Sequence, residues 1–230
     1  MELTSLSTAD WQAIWLTIKL AGLVTFILLI ISIPLAWWLA RNKSIFKGII
    51  GAITTLPLVL PPTVIGFYFL LAMGANGLIG EVTRWLGWGT LAFSFWGLVI
   101  ASVAYSLPFV LQPIKTSFES ISERPLEVAA IAGANPLDVF LTVALPLSRP
   151  GIITGSILGF VHTIGEFGVV LMIGGCIPAE TKVVSIQIYE HVESLNYSSA
   201  HQLSMIMVIF SFVVLVWLQS RKNNKPLGLF

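Results

Sequence analysis

Hydrophobic positions gather into five long stretches, separated by shorter segments that hold nearly all of the charged residues. A helix needs about 20 consecutive apolar residues to cross the hydrocarbon core of a bilayer. The five stretches cover residues 14–40, 49–73, 91–114, 151–173 and 203–219. This pattern predicts an all-α fold, a polytopic transmembrane helical bundle of about five spans.

The composition excludes several other classes of protein. Hydrophobic residues make up 56% of the chain and charged residues only 10%, whereas soluble domains carry roughly 25% charged residues. The net charge of +1 predicts no nucleic-acid partner. A single cysteine, Cys176, allows neither an intrachain disulfide nor a CxxC metal site. The chain is therefore predicted to be an integral membrane protein in contact with lipid, without a metal or other cofactor.

The distribution of lysine and arginine predicts the orientation, because these residues concentrate on the cytoplasmic side of membrane proteins. With five spans and the N-terminus outside, nine of them are cytoplasmic and three lie on or near the outer side. The nine are Arg41, Lys43, Lys47, Lys115, Arg124, Arg149, Arg221, Lys222 and Lys225. We expect a multi-pass protein of a bacterial or archaeal cytoplasmic membrane, with a transmembrane domain at 10–220 and a basic cytoplasmic tail at 221–230.

The longest interruption between apolar stretches covers residues 123–150, ERPLEVAAIAGANPLDVFLTVALPLSRP. Ser122 is a suitable N-cap for a short helix, and Gly133 stands where the end of that helix favours left-handed backbone. Asn135 is then a suitable N-cap for a second helix, with Pro136 in its first turn. The segment is predicted to form two short helices around a glycine turn, outside the lipid; we call it the 123–150 knob.

The knob resembles the EAA loop of importer-type ABC transporter permeases, with Val128 in place of the usual first alanine. The resemblance implies that it is the coupling helix, which docks into a groove on the cytoplasmic ATPase. The residues that carry this role over by position are Glu127, Ala129, Gly133, Leu145 and Pro146. The alternative is an ordinary pair of helices at the membrane surface.

The second apolar stretch contains three prolines, Pro57, Pro61 and Pro62. Proline lacks a backbone donor and clashes with the preceding turn, so the helix must bend or break. The carbonyls that lose their partners need protein or water around them. Two interpretations remain open: a structural kink alone, or a kink that lines the translocation pathway.

One feature of the fourth stretch and one of the third indicate contacts between helices. Gly151, Gly155 and Gly159 recur every four residues, so one helical face has no side chains and lets another helix approach closely. In the third stretch, Tyr105 and Ser106 are polar groups at membrane depth, and we expect them to contact a neighbouring helix.

Glu166 is the only acidic residue well inside any apolar stretch. An ionisable group at this depth is costly and should face protein or water. His162 lies four residues earlier, so the two side chains are expected to share a helical face and a hydrogen bond. The pair either locks helix packing or lines and gates a pathway. A carboxylate repels an anion, which argues against Glu166 as a direct ligand of an anionic substrate.

The remaining segments, 74–90 and 174–200, are predicted to be outer loops. Trp85 and Trp88 in the first have the spacing of an interfacial aromatic anchor. The second carries the polar run 189–193, but its acidic residues and histidine lack the spacing of a zinc motif such as HExxH. A solvated loop is the expectation there.

Catalytic motifs are missing from the sequence. It contains no GxxxxGK[ST] phosphate-binding loop, so ATP-driven activity would need another subunit. No Ser-His-Asp or Cys-His set has a recognisable spacing. The chain is therefore predicted not to be an enzyme.

Two further segments, LPLVLPPTVIGFYFLLAMGANGLIG at 56–80 and GEFGVVLMIGG at 165–175, resemble the molybdate permease subunits of ABC importers. The resemblance covers residues 10–220 and implies the fold of a type I ABC importer permease. It also implies a homodimer, two copies of a P-loop ATPase, and a periplasmic or lipid-anchored protein that binds a tetrahedral oxyanion.

Sulfate permeases share both segments, but the short length of the chain favours molybdate. A sulfate or tungstate permease remains an alternative substrate assignment. A passive channel or secondary carrier, or a membrane scaffold that transports nothing, remains an alternative function, and none of these three would depend on an ATPase.

Overall fold

The structure is a computed structural model that describes residues 6–42 and 44–223. Within these ranges every regular element is helical. The helices are α1 Thr8–Arg41, α2 Phe46–Thr55, α3 Pro62–Met73, α4 Leu78–Trp85, α5 Phe95–Glu119, α6 Glu123–Ile131, α7 Pro136–Val139, α8 Leu145–Leu147, α9 Arg149–Gly165, α10 Gly168–Gly174, α11 Val184–Glu193 and α12 Tyr197–Asn223. Of the predicted basic tail at 221–230, residues 224–230 lie outside the described residues.

Four segments of the described chain are long and apolar enough to cross a membrane. They are Thr8–Arg41, Pro62–Trp85, Phe95–Glu119 and Tyr197–Trp217. A fifth span is formed if Pro136–Leu147 and Arg149–Gly165, which meet at a bend of 68°, are taken together. The prediction of an all-α bundle with about five spans is confirmed, although two of the five predicted stretches are not single helices.

The second predicted stretch, 49–73, is broken at its prolines. Helix α2 ends at Thr55, a 3₁₀ turn follows at Leu56–Leu58, and α3 begins at Pro62. Proline has no N–H to donate, and a helix N-terminus does not need that donor, so Pro62 fits the first position of α3. The fourth predicted stretch, 151–173, is also two helices, because α9 ends at Gly165 and α10 begins at Gly168.

Helices α1, α5 and α9 form the centre of the bundle, and α10 packs between α3 and α5. Leu20, Val24, Leu98 and Leu111 are among the fully buried side chains of this core. Helix α12 lies at the periphery against α11 and α9. Most of its apolar side chains are exposed, so they are available for lipid or for another protein.

Both predicted outer loops contain a helix, so the interpretation of 174–200 as a solvated loop is wrong in part. Helix α4 lies within 74–90 and α11 within 174–200. Helix α11 is fixed to the start of α1, because Nε2 of His191 and Nε2 of Gln187 donate to Oδ1 of Asp10 at 2.8 and 3.1 Å. The histidine of the predicted loop is thus a structural partner of α1.

Candidate functional sites: the 123–150 knob and a cleft between two broken helices

The first part of the 123–150 knob has the predicted helix, glycine turn and second helix, but α7 is only four residues long and is followed by a π-helical turn at Phe140–Ala144 and by α8. Gly133 has a φ of +92°, the left-handed backbone that favours glycine, and it separates α6 from α7. Oδ1 of Asn135 accepts a hydrogen bond from the backbone N–H of Asp138 at 2.9 Å, as an N-cap does. Ser122 is the N-cap residue of α6, but its side chain makes no capping hydrogen bond among the described residues.

Helices α6 and α7, the first part of the knob, stand away from the core of the bundle. Both helices lie within the described part of the chain, and none of their residues is buried. Ile131 is 87% exposed, and Val128 and Leu137 are each 63% exposed. Apolar side chains grouped on a protruding, polar-rimmed surface are typical of a docking site for another protein.

The residues assigned to ATPase coupling fall into two groups in the structure. Glu127 and Gly133 are exposed on the knob. Ala129, Leu145 and Pro146 are half-buried, and Leu145 packs against the core of the bundle. The motif therefore supplies both the outer surface of the knob and part of its attachment.

A cleft of about 490 Å³ lies where the two broken segments of the chain meet. Its lining includes Pro62 and Thr63 from the start of α3, Tyr105 from α5, His162 from the last turn of α9, and Glu166 and Phe167 from the break between α9 and α10. Pro57 and Pro61, the other two proposed pathway prolines, are not part of this lining. Pro62 also packs on α10, because a β-carbon at Gly168 would lie 2.8 Å from its Cβ.

Glu166 occupies the break itself. Its backbone is extended, with φ −69° and ψ 132°, and its side chain is 4% exposed. Neither carboxylate oxygen has a partner within hydrogen-bonding distance among the described residues, and the same holds for the buried hydroxyl of Ser102 on α5. Burial of a polar group without a partner is costly. The carboxylate in this cleft therefore lacks a hydrogen-bond donor from the described chain.

The predicted hydrogen bond between His162 and Glu166 is wrong. Helix α9 ends at Gly165, so Glu166 does not lie one helical turn beyond His162 on the same face. Instead Nδ1 of His162 shares a hydrogen bond with the hydroxyl of Ser106 at 2.9 Å, and its ring stacks on Phe109 with centroids 3.7 Å apart. The expectation that Ser106 contacts a neighbouring helix is confirmed, and both His162 and Glu166 line the same cleft.

The glycine face of α9 lies directly against α5. A β-carbon at Gly151 would lie 2.3 Å from Cβ of Ser117, and one at Gly159 would lie 2.3 Å from Cγ2 of Val110. At Gly155 it would lie 2.8 Å from the carbonyl oxygen of Val110. Any side chain on this face would push the two helices apart, so the glycines set the position of α9 and, through it, of the cleft.

Sequence reasoning did not single out Trp37, Arg41 and Phe140, which attach the knob to the bundle. Their partners are distant in the sequence; Arg41, for example, contacts a main-chain oxygen 80 residues away. The break at Glu166 did have a signal, because glycines at 165 and 168 flank it.

Residues 32–220 match the family described as "Binding-protein-dependent transport system inner membrane component". The chain belongs to this family. It is therefore a multi-pass permease component of the inner membrane rather than an enzyme. The match begins within α1 and ends within α12, so it includes both the knob and the cleft.

Curated relatives extend the similarity over almost the whole permease. It is 59% identical to the molybdenum transport system permease protein ModB of Azotobacter vinelandii, over 96% of this chain and 97% of the relative. It is 34% identical to the protein of the same name in Escherichia coli K12, over 93% and 95%. It is 32% identical to a probable sulfate transport system permease protein cysT of Zygnema circumcarinatum, over 90% of this chain and 70% of the relative.

Solved structures share the fold. A bacterial ABC transporter involved in alginate import matches with a TM-score of 0.77 at 18% identity, over 96% of this permease and 81% of that chain. An inward-facing MetNI methionine ABC transporter matches with a TM-score of 0.69 at 15% identity, over 94% and 97%. The fold is that of type I ABC importer permeases.

Proposed function

We propose that this chain is the membrane-spanning permease subunit of an ATP-driven importer that carries a tetrahedral oxyanion, most specifically molybdate, across the cytoplasmic membrane. The observation that carries the proposal is the 59% identity, over 96% of this chain and 97% of the relative, to a permease named for molybdenum transport. The alignment covers 220 residues, nearly the whole of both proteins.

Sulfate is the second candidate substrate, and the similarity to a sulfate-transport relative is weaker than the similarity to the molybdenum-transport relative. The sulfate-transport relative is 32% identical, and this chain spans only 70% of its length. Tungstate is a third tetrahedral dianion. A permease that leaves selection to a separate binding protein needs only a path without a deep well for the ion, so tungstate is expected to compete with molybdate.

The knob is proposed to dock into a P-loop ATPase, with two ATPase copies serving a homodimer of this chain. Its exposed apolar side chains and the glycine turn that directs α7 support this role. Glu127, Ala129, Gly133, Leu145 and Pro146 are the proposed coupling residues. A periplasmic or lipid-anchored protein that binds the oxyanion is the proposed partner on the other side of the membrane.

The proposed orientation places the knob in the cytoplasm, with the N-terminus outside and the C-terminus inside. The distribution of lysine and arginine supports it, because nine of these residues then lie inside and three outside. The transmembrane domain would cover 10–220, and the basic tail at 221–230 would lie near the anionic inner leaflet.

The cleft is proposed to line or gate the pathway. Pro61 and Pro57 would contribute by breaking the helix, Pro62 by forming one wall, and His162 and Glu166 by facing the opening. A carboxylate opposes an anion at short distance. We therefore assign Glu166 to a closing element that must move or be neutralised for the oxyanion to pass, and not to a ligand.

The experiment is uptake of labelled molybdate by cells that lack their own molybdate permease and express this chain with its ATPase and binding protein. We expect uptake that needs ATP hydrolysis. Excess tungstate should suppress it, whereas the same concentration of sulfate should have little effect. Suppression by sulfate as strong as by tungstate would reassign the substrate. Uptake that persists with a hydrolysis-deficient ATPase would exclude the importer.

A further inference from the structure

The knob is attached to the bundle at its entry and at its exit, and both attachments lead to the same end of α1. The entry is the 119–122 junction, which runs from the last residue of α5 to the N-cap residue of α6. The exit is the point within residues 123–150 at which the chain returns to the bundle, Phe140, the first residue of a π-helical turn that follows α7. The two residues of α1 that receive these attachments are Trp37 and Arg41.

At the entry, Nη2 of Arg41 donates to the carbonyl oxygen of Ile121 at 2.8 Å and, more weakly, to that of Phe118 at 3.4 Å. Phe118 lies in the last turn of α5 and Ile121 follows the end of that helix, where a cation is favoured by the helix dipole. Ile121 directly precedes Ser122, the N-cap residue of α6. Arg41 therefore holds a main-chain carbonyl directly before the N-cap residue of the knob's first helix.

At the exit, the ring of Phe140 lies against Trp37, with centroids 5.5 Å apart. Trp37 also meets Phe118 edge to face at 5.2 Å, and the guanidinium carbon of Arg41 lies 5.2 Å from the centroid of the Trp37 ring. Such cation–π and aromatic contacts add to the hydrogen bonds and fix the guanidinium plane. One residue pair thus joins α1, the end of α5 and the chain leaving the knob.

Other cations near this junction are held much less firmly. Lys47 and Lys115 approach Glu119 at 3.9 and 3.7 Å, and the side chain of Glu119 is 41% exposed. Exposed ion pairs of this kind contribute little. Lys47 is therefore a matched control for Arg41: it has the same charge, lies near the same junction, and its ammonium approaches the carboxylate of Glu119 rather than the carbonyls that Arg41 binds.

We propose that Arg41 is the positioning residue that couples the knob to α1. It prevents the 119–122 junction from swivelling, so a displacement of the knob moves α1 rather than being absorbed at the junction. Helix α1 is continuous for 34 residues, and its other end is hydrogen-bonded to α11 through Asp10. The inference rests on the proposed function, since it needs an ATPase that moves the knob.

The test uses the permease, ATPase and binding protein reconstituted in liposomes, with molybdate as the transported ion. Three quantities are measured for each variant: the ATPase that co-purifies, the melting temperature, and the number of ATP molecules hydrolysed per ion taken up. The variants are Arg41→Gln, Arg41→Lys and the control Lys47→Gln. A residue that only stabilises the fold would change the first two quantities and leave the third unchanged.

For Arg41→Gln we expect ATPase capture close to that of the wild type and about tenfold more ATP hydrolysed per ion, the size of effect that loss of one charge-assisted hydrogen bond gives. The ratio for Arg41→Lys should lie between those of the wild type and Arg41→Gln, because an ammonium keeps the charge but not the planar guanidinium. Lys47→Gln should match the wild type.

A wild-type ratio in Arg41→Gln, or the same rise in Lys47→Gln, overturns the inference. If Arg41→Gln does not accumulate in the membrane, Arg41→Lys decides: a raised ratio supports the proposal and an unchanged one rejects it. Failure of the proposed function is distinguishable, since the wild-type complex itself would then show no ATP-dependent uptake. The inference would fall with it.

Discussion

The knob and the cleft differ in how their sequences determine them. The knob is an exposed segment whose shape follows from signals a few residues apart: Gly133 at φ +92° and Asn135 capping α7. The cleft is assembled from α3, α5 and the break between α9 and α10, which are far apart in the chain. Local signals therefore suffice to predict the first site, whereas the second depends on how helices meet.

The largest effect is expected from a change at Gly133, which belongs to the knob and not to the cleft. A β-carbon there has nothing within 4 Å, so Gly133→Val is not opposed by contacts within the chain. The cost comes from the left-handed backbone, roughly 1–2 kcal/mol, and the turn would rearrange to relieve it. We expect the variant to reach the membrane but to lose ATPase capture and uptake, as measured by co-purification and by molybdate uptake.

Arg84→Ala, on α4 of the predicted outer segment, is the control for this variant and should leave ATPase capture intact. Normal capture together with normal uptake in Gly133→Val would mean that residues 123–146 are not the coupling element. The alternative interpretation of the knob as an ordinary pair of surface helices would then be favoured.

The second prediction concerns the helix contact that positions the cleft. In Gly159→Leu the new Cβ would lie 2.3 Å from Cγ2 of Val110. Overpacking of this kind costs typically about 1–3 kcal/mol, so we expect a several-fold fall in the amount of folded protein in the membrane. Gly22→Leu is a matched control, because Gly22 lies within α1 and a β-carbon added there would have nothing within 4 Å. Equal amounts of both variants would contradict the close packing of α9 on α5.

The same contrast explains how far sequence reasoning reached. The span pattern, the broken helix at Pro62 and the turn at Gly133 follow from local propensity, so they could be predicted. The hydrogen bond between His162 and Glu166 assumed a continuous helix, and the break after Gly165 removed it. The attachment of the knob through Arg41 could not be predicted, because a main-chain acceptor 80 residues away leaves no pattern in the sequence.

The third prediction asks whether the cleft acts in transport or only in packing. Glu166 is 4% exposed and its carboxylate has no hydrogen-bond partner in the described chain. Glu166→Gln keeps the shape and removes a charge that is costly to bury, so the amount of protein should not fall. If the carboxylate gates the pathway, uptake should change by roughly tenfold, equivalent to about 1.4 kcal/mol in the barrier.

Glu193→Gln is the control for the cleft variant, since Glu193 is exposed and accepts a hydrogen bond from Tyr189 on α11. It should leave uptake near normal. Equal and near-normal uptake for both variants would remove Glu166 from the pathway and leave it a packing residue.

The smallest effect on transport is expected from the variants that test orientation, because they change only exposed positions. Cys176 is a free, exposed cysteine in the predicted outer segment, and Ser122 is exposed at the start of the knob. A membrane-impermeant thiol reagent should label the wild type in intact cells through Cys176. In a Cys176→Ser background, Ser122→Cys should be labelled only after the membrane is opened.

Transport should stay near normal in both proteins, and this control would show that the labelled proteins are folded. Labelling of Ser122→Cys in intact cells would place the knob outside, beyond the reach of a cytoplasmic ATPase, and would contradict the proposed coupling role.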